Sequence, residues 1–122
     1  MKILFVEDDE VIRVATADLL QDLGHTVLEA GDADQALNIL QTHPVDVLMT
    51  DLGLPGMSGS RLAAEASRTN PRLKVIFATG ATGPAAGGES ATEGALILRK
   101  PYDTAALDAV LRAAGERRGA SK

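Results

Sequence analysis

The chain has 122 residues, a length that fits one domain with a single buried core, so we expect one domain over residues 1–122 with a frayed helix end from 114 to 122. Hydrophobic residues make up 45% and aromatic residues only 2%, which predicts an aliphatic core, and the lack of cysteine excludes disulfides and thiolate chemistry. The net charge of -5 argues against direct contact with nucleic acid, which usually needs a basic surface. Acids follow the first residues too early for a signal peptide, and no apolar run approaches the ~20 residues of a membrane span. We therefore expect a cytoplasmic protein that contacts neither nucleic acid nor membrane.

Short apolar runs alternate with helical patterns along the chain. The runs predict strands at Lys2–Glu7, His25–Ala30, Val45–Thr50, Leu73–Thr79 and Ala95–Lys100. Apolar residues at helical spacing predict helices that begin at Asp9, at Asp32 or Asp34, just after Gly59, and near Asp103. Strands that are apolar throughout and are separated by helices are typical of a parallel sheet covered on both faces. The predicted class is therefore a doubly wound α/β fold.

The segment between the fourth and fifth strands breaks this alternation. It contains the helix-breaking residues Gly80, Gly83, Pro84, Gly87 and Gly88. An interior glycine costs a helix about 1 kcal/mol relative to alanine, and an interior proline costs about 3 kcal/mol. We therefore expect the fourth helix to be reduced to a turn over Glu89–Glu93, in the most mobile part of the domain.

Polar residues stand at the ends of four of the predicted strands. They are Glu7, Asp8, Asp9, Asp51, Thr79 and Lys100. Because the carboxyl ends of parallel strands share one edge, where ligands bind, we expect these side chains to meet. Clustered acids repel one another, and a hard divalent cation such as Mg²⁺ relieves the repulsion through oxygen ligands. A carboxylate can also attack phosphorus, while the cation, Lys100 and the Thr79 hydroxyl each take one phosphoryl oxygen.

Each of these signals is weak when taken alone. Acids at strand ends are often only solvated, and Asp51 could simply cap the following loop. Thr79 could be a turn residue and Lys100 a surface charge. The three glycines within residues 53–59 indicate a loop, although they would also let backbone groups approach an ion and a phosphate. The joint placement at successive strand ends is what favours a phosphoryl-transfer site.

At these residues the chain resembles the response-regulator receiver domain of two-component signalling, over nearly its whole length. The matching stretches are ILFVEDDEVIR, DVLMTDLGLPGMSG, VIFATG and LRKPYDTAAL. The acid pair, the Asp-x-x-x-Pro-x-x-x-Gly loop and the Lys-Pro pair make the resemblance highly specific. It implies a flavodoxin-like, five-stranded parallel sheet in the order 2-1-3-4-5. The stretch VIFATG resembles a subgroup with a Phe-Ala-Thr-Gly signature, in which the fourth helix is short or disordered.

The resemblance also implies a phosphoacceptor and a metal site. Asp51 would accept the phosphoryl group from a phosphohistidine on a histidine kinase or a histidine phosphotransfer protein. Asp8 and Asp51 would bind Mg²⁺ directly, with Mn²⁺ as a substitute. Glu7 would bind the ion directly or through water, and Gly53 would contribute its backbone carbonyl.

Four further positions concern the phosphoryl group and the response to it. Thr79 would bond to the transferred group, and Lys100 would pair with that group or with the acceptor carboxylate. The peptide bond before Pro101 would be cis, as is typical of the family. Receivers often carry an aromatic residue on the fifth strand that changes rotamer with the threonine, and here that position is Ile97. We therefore hypothesise that phosphorylation orders the segment 80–94 instead of moving a ring.

The function implied by the resemblance is a phosphoacceptor, not an enzyme, that signals by protein contact without a DNA-binding output domain, as a monomer or weak dimer. The alternative is that the chain is the receiver part of a hybrid histidine kinase or of a longer response regulator. A Mg²⁺-dependent aspartyl phosphohydrolase of the haloacid-dehalogenase type is a further alternative. That class carries a second Asp two residues after the nucleophile, where this chain has Gly53. The sequence also lacks the P-loop and EF-hand motifs.

Overall fold

A computed structural model describes residues 1–54, 56–79, 95–100 and 102–120 of the chain. Its elements, in chain order, are β1 (Lys2–Val6), α1 (Glu10–Asp22), β2 (Thr26–Ala30), α2 (Ala33–Thr42), β3 (Val47–Asp51), α3 (Gly59–Thr69), β4 (Lys74–Thr79), β5 (Leu96–Arg99) and α4 (Thr104–Ala120). Every strand lies within two residues of its predicted bounds, and β3 additionally includes Asp51. Within the described ranges, no helix is both long enough and apolar enough to cross a membrane.

Two predictions fall on residues outside the described ranges: the turn over Glu89–Glu93 and the cis bond before Pro101. The proposed ordering of the segment 80–94 lies outside them as well. The last helix extends to Ala120. Fraying of its end after position 114 therefore stays a prediction.

Short polar side chains fix the start of each helix. At every start, the backbone N–H three residues further along donates to a side-chain oxygen at 2.8–3.2 Å, and the acceptors are Asp9, Asp32, Ser58 and Asp103. Each of these bonds satisfies one of the donors that the first helical turn leaves without a partner. Of the two candidates for the start of α2, the structure selects Asp32. After α1, Gly24 adopts a φ of 99°, which glycine tolerates best, and the chain turns into β2.

The strands form one sheet in the order β2-β1-β3-β4-β5, with all neighbouring pairs parallel. This is the order that the resemblance implied. The register places Val6 opposite Thr50, Asp51 opposite Ala78, and Thr79 opposite Arg99. The carboxyl ends of β1, β3, β4 and β5 are therefore adjacent along a single edge of the sheet.

Alternate strand residues point to opposite faces and build two apolar cores, one on each side of the sheet. One core joins the sheet to α2 and α3 and contains Phe77, and the other joins it to α1 and α4 and contains Phe5. These two residues are the only phenylalanines of the chain, and both are fully buried. The remaining core is aliphatic, as the composition predicted. Burial on both faces confirms the doubly wound α/β fold and leaves the strand ends free to carry polar groups.

Candidate functional site

Three carboxylates converge at the carboxyl edge of the sheet. Glu7 and Asp8 directly follow β1, and Asp51 is the last residue of β3. One oxygen atom from each residue lies within 4.8 Å of the other two. Glu7 is buried, Asp51 is half-buried and Asp8 is exposed. The sequence prediction that these acids meet is therefore correct in its geometry.

The chemistry of this cluster suits a hard cation. Like charges at such separations repel one another, so the cluster favours a positively charged partner. Its ligand atoms are carboxylate oxygens, without the histidine or cysteine that softer metals prefer. Oxygen ligands of this kind are typical of Mg²⁺ sites. The residues present therefore fit the ion that the sequence predicted.

Lys100 lies between two of the three acids. Its ammonium nitrogen is 2.9 Å from Oε1 of Glu7 and 3.4 Å from Oδ2 of Asp51. Burial alone would lower the pKa of Lys100, but its hydrogen bond to Glu7 and the charges of Asp51 and Glu7 outweigh that effect and raise the pKa. Lys100 therefore stays charged at the site over the physiological pH range.

Glu7 is 2% exposed, and every polar atom it carries has a partner. Its Oε1 accepts from Lys100, and its Oε2 accepts from the backbone N–H of Asp9 at 3.2 Å. Its own N–H donates to the carbonyl of Ala30 at 3.1 Å, and its carbonyl accepts from Nη1 of Arg13 at 2.8 Å. A buried charge is tolerated only when it is paired and hydrogen-bonded in this way. Glu7 is thus the most constrained of the three acids.

The backbone around Asp51 orients its carboxylate. The N–H of Gly53 donates to Oδ1 of Asp51 at 3.2 Å, while Lys100 approaches Oδ2 from the other side. The Thr50 hydroxyl donates to the backbone carbonyl of Asp51 at 3.0 Å. Both carboxylate oxygens therefore face hydrogen-bond donors at the end of the strand.

The glycines after Asp51 have different roles, which the sequence did not distinguish. Gly56 has a φ of 81° and makes a turn that other residues rarely adopt. Gly59 begins α3 directly against the end of β3, where a Cβ atom would lie 2.2 Å from the Asp51 carbonyl oxygen. At Gly53 a Cβ atom would meet nothing within 4 Å. Close approach is thus required at Gly59, where the approaching group is the helix and not a ligand.

Thr79 and Lys100 are coupled through the backbone. Thr79 is the last residue of β4 and is buried, and its carbonyl accepts a hydrogen bond from the N–H of Lys100 at 2.8 Å. This bond fixes the position from which the lysine side chain reaches the acids. Ile97, the predicted switch position, lies on β5 opposite Phe77 and is 45% exposed.

Two residues whose contacts the sequence did not predict hold the loops of the site. Tyr102 shares a hydrogen bond with the hydroxyl of Thr16 on α1 at 3.0 Å, which anchors the segment after Lys100. Burial raises the pKa of Tyr102, although the hydrogen bond to Thr16 opposes this. Arg13 on α1 binds the Glu7 carbonyl. The one available signal for this role was that Arg13 is a basic residue in the first turns of the helix that follows the acids.

Comparison with known proteins gives a consistent result. The family model described as the response regulator receiver domain matches residues 3–112. The response regulator receiver protein CpdR of Brucella abortus (strain 2308) is 34% identical over 102 residues, which cover 83% of this chain and 85% of CpdR. The sensor kinase CckA of the same organism is 36% identical over 80 residues, which cover 64% of this chain but only 8% of the kinase.

A solved structure agrees with these sequence matches. The crystal structure of the signal receiver domain of an HD domain-containing protein from Pseudomonas fluorescens Pf-5 is 33% identical to this chain. It superposes with a TM-score of 0.88 and covers 98% of this chain and 97% of its own. The similarity therefore extends over the whole α/β fold described above.

Proposed function

Because the chain belongs to the response-regulator receiver domain family of two-component signalling, we propose that Asp51 accepts a phosphoryl group from a phosphohistidine of a histidine kinase or a histidine phosphotransfer protein. The observation that carries this proposal is the position of the Asp51 carboxylate. It lies 3.4 Å from the Lys100 ammonium and shares one cluster with Glu7 and Asp8. A carboxylate in such surroundings is held in place for attack on phosphorus.

The transfer exchanges one bond to phosphorus for another. A carboxylate oxygen of Asp51 forms a bond to phosphorus while the bond between phosphorus and the imidazole nitrogen of the donor breaks. The electron pair leaves with the ring, whose other nitrogen carries a proton, so the leaving group is a neutral imidazole. The product is an acyl phosphate on Asp51 and an unphosphorylated histidine. Such transfers depend mainly on positioning and on neutralising the charge of the phosphoryl oxygens.

The chain's own residues supply most of this neutralisation. The ammonium of Lys100 lies beside Asp51, so it pairs with the phosphoryl group once that group is attached. The backbone hydrogen bond from Lys100 to Thr79 keeps the lysine within reach. The hydroxyl of Thr79 donates to a phosphoryl oxygen after the transfer. Bound Mg²⁺, or Mn²⁺ in its place, would be held by Glu7, Asp8, Asp51 and the Gly53 carbonyl, and would neutralise and orient the phosphoryl oxygens.

Phosphorylation by a small-molecule donor tests the proposal. The protein is incubated with acetyl phosphate and Mg²⁺, and its intact mass is measured for wild type, Asp51→Asn and the matched control Asp34→Asn, which changes an exposed acid on α2. We expect one added phosphoryl group on wild type and Asp34→Asn, and none on Asp51→Asn or on wild type with EDTA. An adduct that survives in Asp51→Asn would refute the assignment of the acceptor.

Signalling by protein contact is the output that we propose for the phosphorylated chain. The alternative of a haloacid-dehalogenase-type phosphatase needs a general acid two residues after the nucleophile. Gly53 stands at that position and has no side chain to donate a proton. The receiver chemistry requires no such acid, because its donor histidine leaves as a stable imidazole.

A further inference from the structure

Arg13 connects three structural elements behind the acid cluster. It lies on α1, and its Nη1 donates to the backbone carbonyl of Glu7, at the end of β1, at 2.8 Å. Its Nε forms an ion pair with Glu29 of β2 at 3.5 Å. The side chain is 20% exposed, so most of it lies inside the protein surface. A guanidinium fork is well suited to hold two acceptors at fixed positions.

The carbonyl that Arg13 holds belongs to the peptide unit that carries Asp8. The C=O of Glu7 and the N–H of Asp8 lie in one rigid plane that ends at the Asp8 Cα, so an anchor on the oxygen limits the directions in which the Asp8 side chain can leave the backbone. Asp8 is exposed, so packing does not hold it in place and its position depends on such an anchor. Within the described ranges, no protein group donates a hydrogen bond to its carboxylate. Its orientation therefore depends on its backbone.

Gly31 lies directly against the Arg13 guanidinium. A Cβ atom at Gly31 would lie 3.2 Å from Nη1 of Arg13, closer than nine in ten Cβ contacts in proteins. The φ of Gly31 is not in the left-handed region, so its backbone conformation does not require glycine. The space above Gly31 is what the guanidinium occupies. Glu29 balances the charge of Arg13.

We propose that Arg13 is a positioning residue for the metal site, which it serves by fixing the Glu7–Asp8 peptide and thereby aiming the Asp8 carboxylate at the ion. This inference rests on the proposed function, because the ion is the one proposed there. Residues that orient metal ligands from behind typically change metal affinity 10- to 100-fold when they are mutated. For an anchor that acts through the backbone, we expect about a tenfold loss of Mg²⁺ affinity.

The positioning role and a simple charge effect predict opposite results. A guanidinium near three carboxylates competes with a cation, so charge alone would make Arg13→Met bind Mg²⁺ more tightly and leave Arg13→Lys unchanged. Positioning predicts that both variants bind Mg²⁺ more weakly, because methionine has no donor for the Glu7 carbonyl and lysine has no planar fork to hold a donor at that position. The sign of the change in Arg13→Met therefore separates the two explanations.

Isothermal titration calorimetry with Mg²⁺ on the full chain gives the affinity, and electron paramagnetic resonance with Mn²⁺ gives a second measure. We expect about a tenfold weaker affinity in Arg13→Met and Arg13→Lys. The matched control Glu29→Gln removes the ion pair but keeps the bond to the Glu7 carbonyl, and should bind like wild type. Gly31→Ala keeps the Arg13 side chain but displaces its guanidinium, so it should show a smaller loss of Mg²⁺ affinity, and it serves as the test if Arg13→Met does not fold.

Thermal unfolding in EDTA and in Mg²⁺ distinguishes this role from a merely structural one. A structural role alone would lower the unfolding temperature in EDTA and leave the increase produced by Mg²⁺ unchanged, whereas positioning requires that this increase shrink. Unchanged or tighter Mg²⁺ binding in both Arg13 variants would overturn the inference and leave the proposed function standing. A wild-type protein that binds neither Mg²⁺ nor Mn²⁺ would overturn both.

Discussion

Gly59 lies where the start of α3 meets the end of β3, and its replacement by alanine tests that contact. A Cβ atom there would be 2.2 Å from the carbonyl oxygen of Asp51 and 3.0 Å from the Cα of Leu52. Carbon and carbonyl oxygen ordinarily approach no closer than about 3.3 Å, so helix and strand would have to separate by about 1 Å. Overpacking costs about 1–3 kcal/mol, and a clash with rigid backbone lies at the upper end of that range. The better helix propensity of alanine, about 1 kcal/mol in a helix interior, returns less at this first helical position. We expect Gly59→Ala to lower the free energy of unfolding by about 2–3 kcal/mol.

Gly115→Ala is the matched control, because a Cβ atom at this position of α4 would meet nothing within 4 Å. It should raise the free energy of unfolding by up to about 1 kcal/mol. Urea unfolding followed by circular dichroism measures both variants. Since the displaced oxygen belongs to Asp51, Gly59→Ala should also slow phosphorylation by acetyl phosphate, while Gly115→Ala should not. A Gly59→Ala protein as stable as wild type would refute the close contact.

Two further predictions concern titratable groups. Lys100→Met should cost about 1–2 kcal/mol at neutral pH, because Glu7 loses the ammonium at 2.9 Å. Despite burial, the acids raise the pKa of Lys100 above 10.5, so the stability that Lys100 contributes to wild type should be present below pH 10.5 and be lost as the pH rises through the pKa of the folded state. Parallel plots of unfolding free energy against pH for wild type and Lys100→Met would contradict this. Burial, and then the neighbouring amino terminus, lower the pKa of His25 below 6.5. The unfolded chain therefore binds the His25 proton more tightly than the folded chain does, so denaturant midpoints should fall as the pH drops below 6.5. The fall should be the same in wild type and His43→Asn but smaller in His25→Asn. An equal fall in all three proteins would exclude His25 as the source.

The meeting of Glu7, Asp51 and Lys100 could be predicted because it depends on few properties. Apolar runs separated by helical patterns indicate parallel strands, and parallel strands end at one edge. Residues just after the runs must then be neighbours, whatever the details of packing. The roles of these residues in phosphoryl transfer are chemical proposals that geometry alone does not test.

Arg13 and Gly59 escaped prediction because their roles depend on distances between elements. The reach of Arg13 to the Glu7 carbonyl requires α1 to lie at a particular height over β1, which no local pattern encodes. Gly59 looked like one more loop glycine, yet it is the first residue of α3. Glycine is unfavourable in a helix, so its presence at a helix start is a signal for close backbone packing once the helix bound is known.

The ammonium of Lys100 has a consequence for the valence of the ion that this edge can hold. Glu7, Asp8 and Asp51 carry three negative charges against the one positive charge of Lys100, so two remain without compensation. A divalent ion cancels that remainder, a monovalent ion leaves half of it, and a trivalent ion overshoots. The lysine therefore acts as a built-in counterion that sets the preferred valence at two. Its removal should shift the preference of the edge toward trivalent lanthanides.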